Sequence, residues 1–242
     1  MNKNIIKAKE ILNRNINQNK YSILRLNQNA IGKIYIKDNC VCLWDKEYNK
    51  YLYTTYNAQN FLDLFSEVQS ENGMELSLVN NGCDVRKSLL RLNSKIDFVS
   101  CYQMIPQNIT KKIKYTSDIA FMEITKDFAK WMVSVYKHPE LTIDFILRRT
   151  RKNPYVIACN NNKEPIGFFL THSDAELGPV YVSPEYRSSG LADIMYEKMI
   201  KSFSHNNLPI LFVMENNNAS YKWLTKLGCY LCEEKMLWFY IN

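Results

Sequence analysis

In the stretch VYVSPEYRSSGLADIMYEKMI, Val180 to Ile200, a short apolar run gives way to an amphipathic pattern across Arg187-Ser188-Ser189-Gly190. No bulky side chain follows the arginine, so the backbone is least obstructed where a helix is about to begin. A helix N-terminus presents unpaired N–H groups and about half a positive charge. An anion uses both when backbone atoms can approach closely. Ser188, Ser189 and Gly190 keep that approach clear, and Arg187 adds a permanent charge beside it. The spacing Arg-x-x-Gly-x-Ala, closed by Leu191 and Ala192, is common by itself. Its context gives it weight: a strand before it, then an amphipathic helix, a strand, an Asn-led helix and Leu-Gly.

The elements that must position this loop are legible in the second half. Residues 119–124 read as a strand, and Asp127 to Tyr136 and Glu140 to Arg151 as helices, with Pro139 near the start of the second. Tyr155 to Cys159, Ile166 to Thr171 and Ala175 to Val182 read as strands, separated by Asn160-Asn161-Asn162 and His172-Ser173-Asp174 turns. Apolar residues at 191, 194, 195, 199, 200 and 203 have helical period. A buried-type strand, Leu208 to Met214, precedes a helix over 219–227 stopped by Gly228, and a last strand covers 235–241.

The first half echoes this ending. Residues 74–93 align with 209–228 without a gap, and Leu76, Asn81, Lys87, Leu89 and Leu92 match Leu211, Asn216, Lys222, Leu224 and Leu227. Asn93 falls on Gly228, and both types tolerate the left-handed conformation at a helix end. The shared order of strand, helix and stop favours a tandem repeat over coincidence. In that register Leu52 falls on Arg187 and Thr55 on Gly190, so the first copy lacks the loop.

Composition narrows the function classes. The 242 residues are 46% hydrophobic and 23% charged, enough for a large core in one or two domains. The net charge of +7 is spread, with 14 basic against 10 acidic residues in the first 110, which argues against a nucleic-acid arm. The N-terminus MNKNIIKAKEILNRN lacks a continuous apolar stretch, so no signal peptide and a cytoplasmic protein are expected. The longest apolar run, 208–214, falls far short of the roughly 20 residues that span a bilayer, so no membrane partner is expected. Seven cysteines suit reduced thiols. The Cys229/Cys232 and Cys40/Cys42 pairs are distant in sequence with no histidine at ligand spacing, so no metal is expected; Cys40 and Cys42 alternate onto one strand face.

The segment from Ile119 to Ile241 resembles the GCN5-related N-acetyltransferase (GNAT) superfamily, most specifically through VYVSPEYRSSGLA and NNNASYKWLTKLG. PEYRSSGL is most similar to the FR47-like branch, which includes the glycine N-acyltransferases and carries an N-terminal acetyltransferase-like domain. The resemblance implies a mixed α/β sheet, with a catalytic GNAT domain over 111–242 and a degenerate GNAT-like domain over 1–110. It implies that residues 188–192 donate backbone hydrogen bonds to the pyrophosphate of acetyl-CoA, and that Val180, Tyr181 and Val182 run beside the pantetheine arm. Pro179 fits this, since a proline lacks the N–H that a fully laddered central strand needs; a simple bulge or edge is the bland alternative.

Acyl transfer to an amine requires loss of an ammonium proton with a lysine-like pKa near 10, donors for the oxyanion, and a proton for the thiolate. The resemblance makes Glu176 the candidate base and the N–H groups around Val180 to Val182 the oxyanion donors; a surface glutamate is the alternative for Glu176, and Asp174 could fill that place equally. Family members commonly carry a tyrosine as acid in Asn-x-x-Ala-x-x-x-Tyr-x-x-x-Gly. Here the pattern is Asn217, Ser220, Leu224 and Gly228, a departure that also occurs in the ribosomal-protein acetyltransferase branch. Tyr221, three residues before Leu224, is the candidate acid acting through water, against ordinary packing. Asn217 would contact pantetheine, and Ser220 would cap the helix and touch cofactor.

Arg148, Arg149, Arg151 and Lys152 read as a solvated helix end rather than a nucleic-acid patch. His138, His172 and His205 are scattered; His172 is a turn residue by default, or a second base. Trp131 and Tyr136 line an acceptor pocket or pack in the core. The expected activity is direct transfer of an acetyl or short acyl group to a primary amine, favouring a small molecule, in a cytoplasmic protein whose oligomeric state, a homodimer included, is open. The alternative is a non-catalytic acyl-CoA-binding or sensing protein.

Overall fold

A computed structural model describes residues 3–68, 75–80, 82, 85–92, 96–107, 119–139, 141–204 and 208–240. Asn81, Asn93, His205 and the 110/111 boundary lie outside these. The first half runs α1 (Lys3–Leu12), α2 (Lys20–Asn27), β1 (Ile31–Lys37), β2 (Cys40–Asp45), β3 (Lys50–Thr55), α3 (Ala58–Val68), β4 (Glu75–Asn80), α4 (Val85–Leu92) and β5 (Phe98–Ile105). There follow β6 (Ala120–Phe121), α5 (Lys126–Val135), α6 (Ile143–Thr150), β7 (Val156–Cys159), β8 (Pro165–Ser173), β9 (Glu176–Val182) and α7 (Leu191–Lys201). The chain closes with β10 (Ile210–Met214), α8 (Asn218–Lys226), β11 (Tyr230–Leu231) and β12 (Met236–Tyr240).

Compactness groups these elements into two units, one of Met1–Ile105 with Phe212–Asn242 and one of Pro106–Leu211. This differs from a division by family likeness at 110/111, and β12 gives the reason. It is hydrogen-bonded to first-half strands on both edges, antiparallel to β4 (Leu237↔Leu78) and to β5 (Leu237↔Ser100). Leu237 and Phe239 of β12 are therefore buried in a core with first-half residues.

The first unit holds a mixed sheet in the order β1-β2-β3-β4-β12-β5, with β11 paired to β5. Among its described pairings β3/β4 is parallel, and β1/β2, β2/β3, β4/β12, β5/β12 and β5/β11 are antiparallel. Alternation sends Cys40 and Cys42 to one face with Tyr51, Tyr53, Leu76, Leu78 and Phe239, against Phe61, Leu64 and Phe65 of α3. The expected single-face placement of both thiols holds. Edge-to-face and stacked rings tie the layer together, Tyr53–Phe61 at 5.3 Å and Phe61–Phe65 at 5.4 Å. Arg25 of α2 and Asp45 at the end of β2, both with fully buried side chains, form a two-bond pair at 2.6 and 2.9 Å. Asp45 also accepts from the backbone of Glu47 at 3.0 Å, so one carboxylate anchors both a helix and a turn.

The second unit is a sheet in the order β10-β9-β8-β7-β6, to which β10 contributes Ile210 and Leu211. Alternating residues of β8 serve two helical layers. Phe168 and Leu170 pack with Ala129 and Met132 of α5 and Ile146 of α6. Gly167 faces α7: a Cβ there would stand 3.2 Å from the Met195 side chain and 3.1 Å from the Tyr181 carbonyl. Helix α6 begins at Ile143 rather than at 140 because Thr142 is its cap, accepting from the Phe145 N–H at 3.1 Å. Strand β8 runs on through His172 to Ser173, so His172 is a strand residue and not part of the turn.

Candidate active site

The loop after β9 is built by local bonds. Ser183 donates its N–H to the Ile166 carbonyl at 2.8 Å, ending the β8/β9 ladder. A short turn over Pro184–Tyr186 follows, and Arg187 returns to extended backbone. Arg187 Nε donates to the Val182 carbonyl at 3.3 Å. Ser188 (φ 63°) and Gly190 (φ 92°) are left-handed, and Gly190 is the residue preceding α7. Ser189 Oγ donates to the Tyr186 carbonyl at 2.6 Å and accepts the Leu191 N–H at 3.3 Å. Of the N–H groups at 188–192, that of Leu191 is thus taken. Those of Ser188, Ser189 and Gly190 have no protein partner among the described residues. Arg187, Ser188 and Ser189 are exposed.

Strand β9 is irregular upstream of this loop. On the β8 side Val180, Tyr181 and Val182 pair with Phe169, Phe168 and Gly167, but the register slips between Phe169 and Thr171. The extra residue falls at Gly178-Pro179, a bulge where proline's missing N–H disturbs no ladder. On the other edge, the parallel pairing with β10 covers Glu176 and Leu177 alone. Because the Ser183 N–H bonds to β8, antiparallel alternation turns Tyr181 toward β8 and the N–H groups of Val180 and Val182 toward the opposite edge. That edge offers two donors roughly 7 Å apart, two residues at strand rise.

Glu176 opens β9 and is buried, with 9% exposure. Along the strand it lies about 13 Å from Val180 at the usual rise. The expected site residues Glu176, Val180, Tyr181, Val182, Arg187 to Gly190, Leu191 and Ala192 therefore share one unit and one continuous strand–loop–helix segment. Tyr181 is fixed by stacking on Phe168 at 5.7 Å and by the edge of Trp131 at 5.9 Å. Trp131 and Tyr136 are accordingly packed on Phe168, and burial raises the Tyr136 phenol above its usual pKa.

Asn217, Ser220, Tyr221 and Leu224 belong to the other unit. Asn217, not Ser220, caps α8: its Oδ1 accepts the Ser220 N–H at 3.1 Å, and the helix starts one residue earlier than expected, at Asn218. Leu224 is buried, and the Tyr221 ring packs on Tyr102 at 4.7 Å. Sequence reasoning missed Arg149. It is buried rather than solvated and pairs with Asp174, in the β8–β9 turn, at 2.8 Å. The only available signal was the helical phase, which sets Arg149 beside Ile146 and Thr150 rather than with its basic neighbours. Among the described residues no group of three or more His, Cys, Asp or Glu could hold a metal, and no helix is long and apolar enough to cross a membrane.

Residues 120–229 match the acetyltransferase (GNAT) family. Solved structures extend the likeness in fold over most of the chain. A Drosophila protein has a TM-score of 0.62 at 12% identity, covering 93% of this chain and 88% of that one. A GCN5-related N-acetyltransferase from Kribbella flavida has a TM-score of 0.58 at 8% identity, covering 92% and 95%. A GCN5-related N-acetyltransferase-like protein from Streptococcus suis has a TM-score of 0.53 at 12% identity, covering 96% and 98%. No curated protein matches the sequence.

Proposed function

We propose that this chain is an acyl-CoA-dependent N-acetyltransferase that passes an acetyl or short acyl group directly to a primary amine, with a small molecule as the favoured acceptor. The observation that carries the proposal is the outer edge of β9: the N–H groups of Val180 and Val182 lie on it, and past the turn over 183–187 come the bare N–H groups of Ser188, Ser189 and Gly190. An extended amide-bearing arm suits the first, and a pyrophosphate suits the second with Arg187 beside it. The GNAT match over 120–229 supports this pairing. PEYRSSGL favours the FR47-like branch.

With the pyrophosphate at the loop and the arm along Val180 to Val182, the thioester falls upstream, toward Gly178. Glu176 is the base for the acceptor ammonium, and the Val180 N–H is the nearest oxyanion donor. The amine nitrogen forms the bond to the carbonyl carbon as the C–S bond breaks and the thiolate takes a proton. Tyr221 is assigned that proton through water, and Asn217 and Ser220 keep their expected cofactor contacts; each of these three roles is carried by family likeness.

An acetyl-CoA consumption screen over amines tests the proposal. Glu176→Gln should keep acetyl-CoA affinity while turnover falls about 100-fold or more, the scale of a lost general base. Gly190→Glu should abolish binding, because a side chain at φ 92° is strained and its charge opposes a pyrophosphate. Retained acetylation by Gly190→Glu would refute the loop assignment. A second reading, a non-catalytic acyl-CoA binder, draws on the buried Leu224 at the usual tyrosine position. Tight acetyl-CoA binding with no acceptor consumed across the screen would favour it.

A further inference from the structure

We propose that His172 is the proton relay of this site, receiving on Nε2 the proton that Glu176 takes from the acceptor ammonium and releasing it to solvent. The inference rests on the acetyltransferase reading above and adds a residue to it. At the β9 bulge the imidazole lies against the backbone: a Cβ on Gly178 would stand 3.4 Å from His172 Cδ2 and 4.0 Å from Nε2. The edge carrying Nε2 thus faces the part of β9 where the thioester falls. The ring is half-buried, its centre 6.2 Å from that of Phe145 of α6. Glu176, across the same hairpin, is almost wholly buried. A buried carboxylate can accept a proton but needs a second group to pass it outward.

The proton balance shows why such a path is required. An ammonium acceptor plus a thioester yields an amide, a thiol and one proton that must reach bulk water. A neutral amine yields the amide and thiol with no surplus proton. In the relay, the N–H bond of the ammonium breaks toward Glu176, the proton moves through water to Nε2, and the imidazolium so formed gives up one proton to bulk water. Imidazole suits this because its unperturbed pKa lies near neutrality, about 6.5. The charged and titratable groups on the elements packed against β8 here are Glu176 of β9, Asp174 paired with Arg149, the exposed Asp144 and Arg148 of α6, and Tyr136 beyond α5.

The test compares His172→Gln and His172→Ala with wild type, using the best alkylamine from the screen between pH 6.5 and 10. At neutral pH kcat should fall tenfold or more, on the scale of general acid–base catalysis, with acetyl-CoA affinity kept. The gap between the two rates should narrow steadily as pH rises toward 10, where a growing share of the amine arrives neutral. Added imidazole should restore much of the His172→Ala loss at pH 7. A loss equal at every pH, or no loss in an active enzyme, overturns the relay and leaves the acetyltransferase reading standing. A wild type that acetylates no amine overturns both.

Discussion

At the residue scale, the site is a contrast between backbone left open and side chains tied down. Ser189 is bonded twice within its own loop, while its neighbours keep N–H groups available. Tyr181 is held by two aromatic partners, and the N–H groups of its strand neighbours Val180 and Val182 face the outer edge. Tyr221 is the least supported of the assigned groups, since Tyr102 already accounts for its ring. If it supplies the thiolate's proton, Tyr221→Phe lowers kcat about tenfold with acetyl-CoA affinity unchanged, because packing is conserved and one hydroxyl is lost. A kcat equal to wild type would return Tyr221 to the core. The thiolate's modest basicity, by analogy with cysteine near 8.5, keeps the expected effect small.

At the element scale, stability in the first unit depends on one buried charge. Burial by itself lowers the Arg25 pKa, but its hydrogen bonds to Asp45 and Glu47 outweigh that and hold the guanidinium more firmly protonated than usual. Asp45→Ala removes the buried carboxylate and leaves that cation with the half-exposed Glu47 and the neutral Gln28 Oε1 at 3.2 Å. The expected cost is about 3–5 kcal/mol, the range for breaking a buried pair, read as a lower midpoint in urea. A change below about 1 kcal/mol would show that Glu47 or solvent compensates fully. In the second unit the equivalent joint is steric. Gly167 lets α7 lie close on β8, and α7 begins at the loop, so that contact fixes where the loop stands on the sheet.

At the scale of the whole molecule, a strand runs into a helix at β3–α3 as it does at β9–α7, but the two links differ. Strand β4 and helix α4 correspond to β10 and α8 in the aligned register, and Leu89 and Leu224 at equivalent places are both buried. The link from β3 to α3 is Tyr56-Asn57, whereas the link from β9 to α7 runs from Ser183 to Gly190. Two residues have no room for a backbone cradle. Acetyl-CoA should therefore bind with a stoichiometry of one per chain by calorimetry, and Gly190→Glu should remove all of it. A second binding event of similar affinity would contradict the single-loop reading.

Local chemistry was readable without coordinates. The strands flanking Asn160, the bare loop and the helix that follows it all follow from side-chain period and backbone freedom within a few residues. The placement of Cys40 and Cys42 on one face follows from the two-residue period of a strand. The inward turn of Arg149, the strand setting of His172, and the lodging of β12 between β4 and β5 were not readable. Each depends on a partner far away in the sequence: Asp174 for the arginine, Gly178 for the histidine, and two first-half strands for the last one. Periodicity states which face of an element seeks burial, whereas only the folded chain states what that face meets.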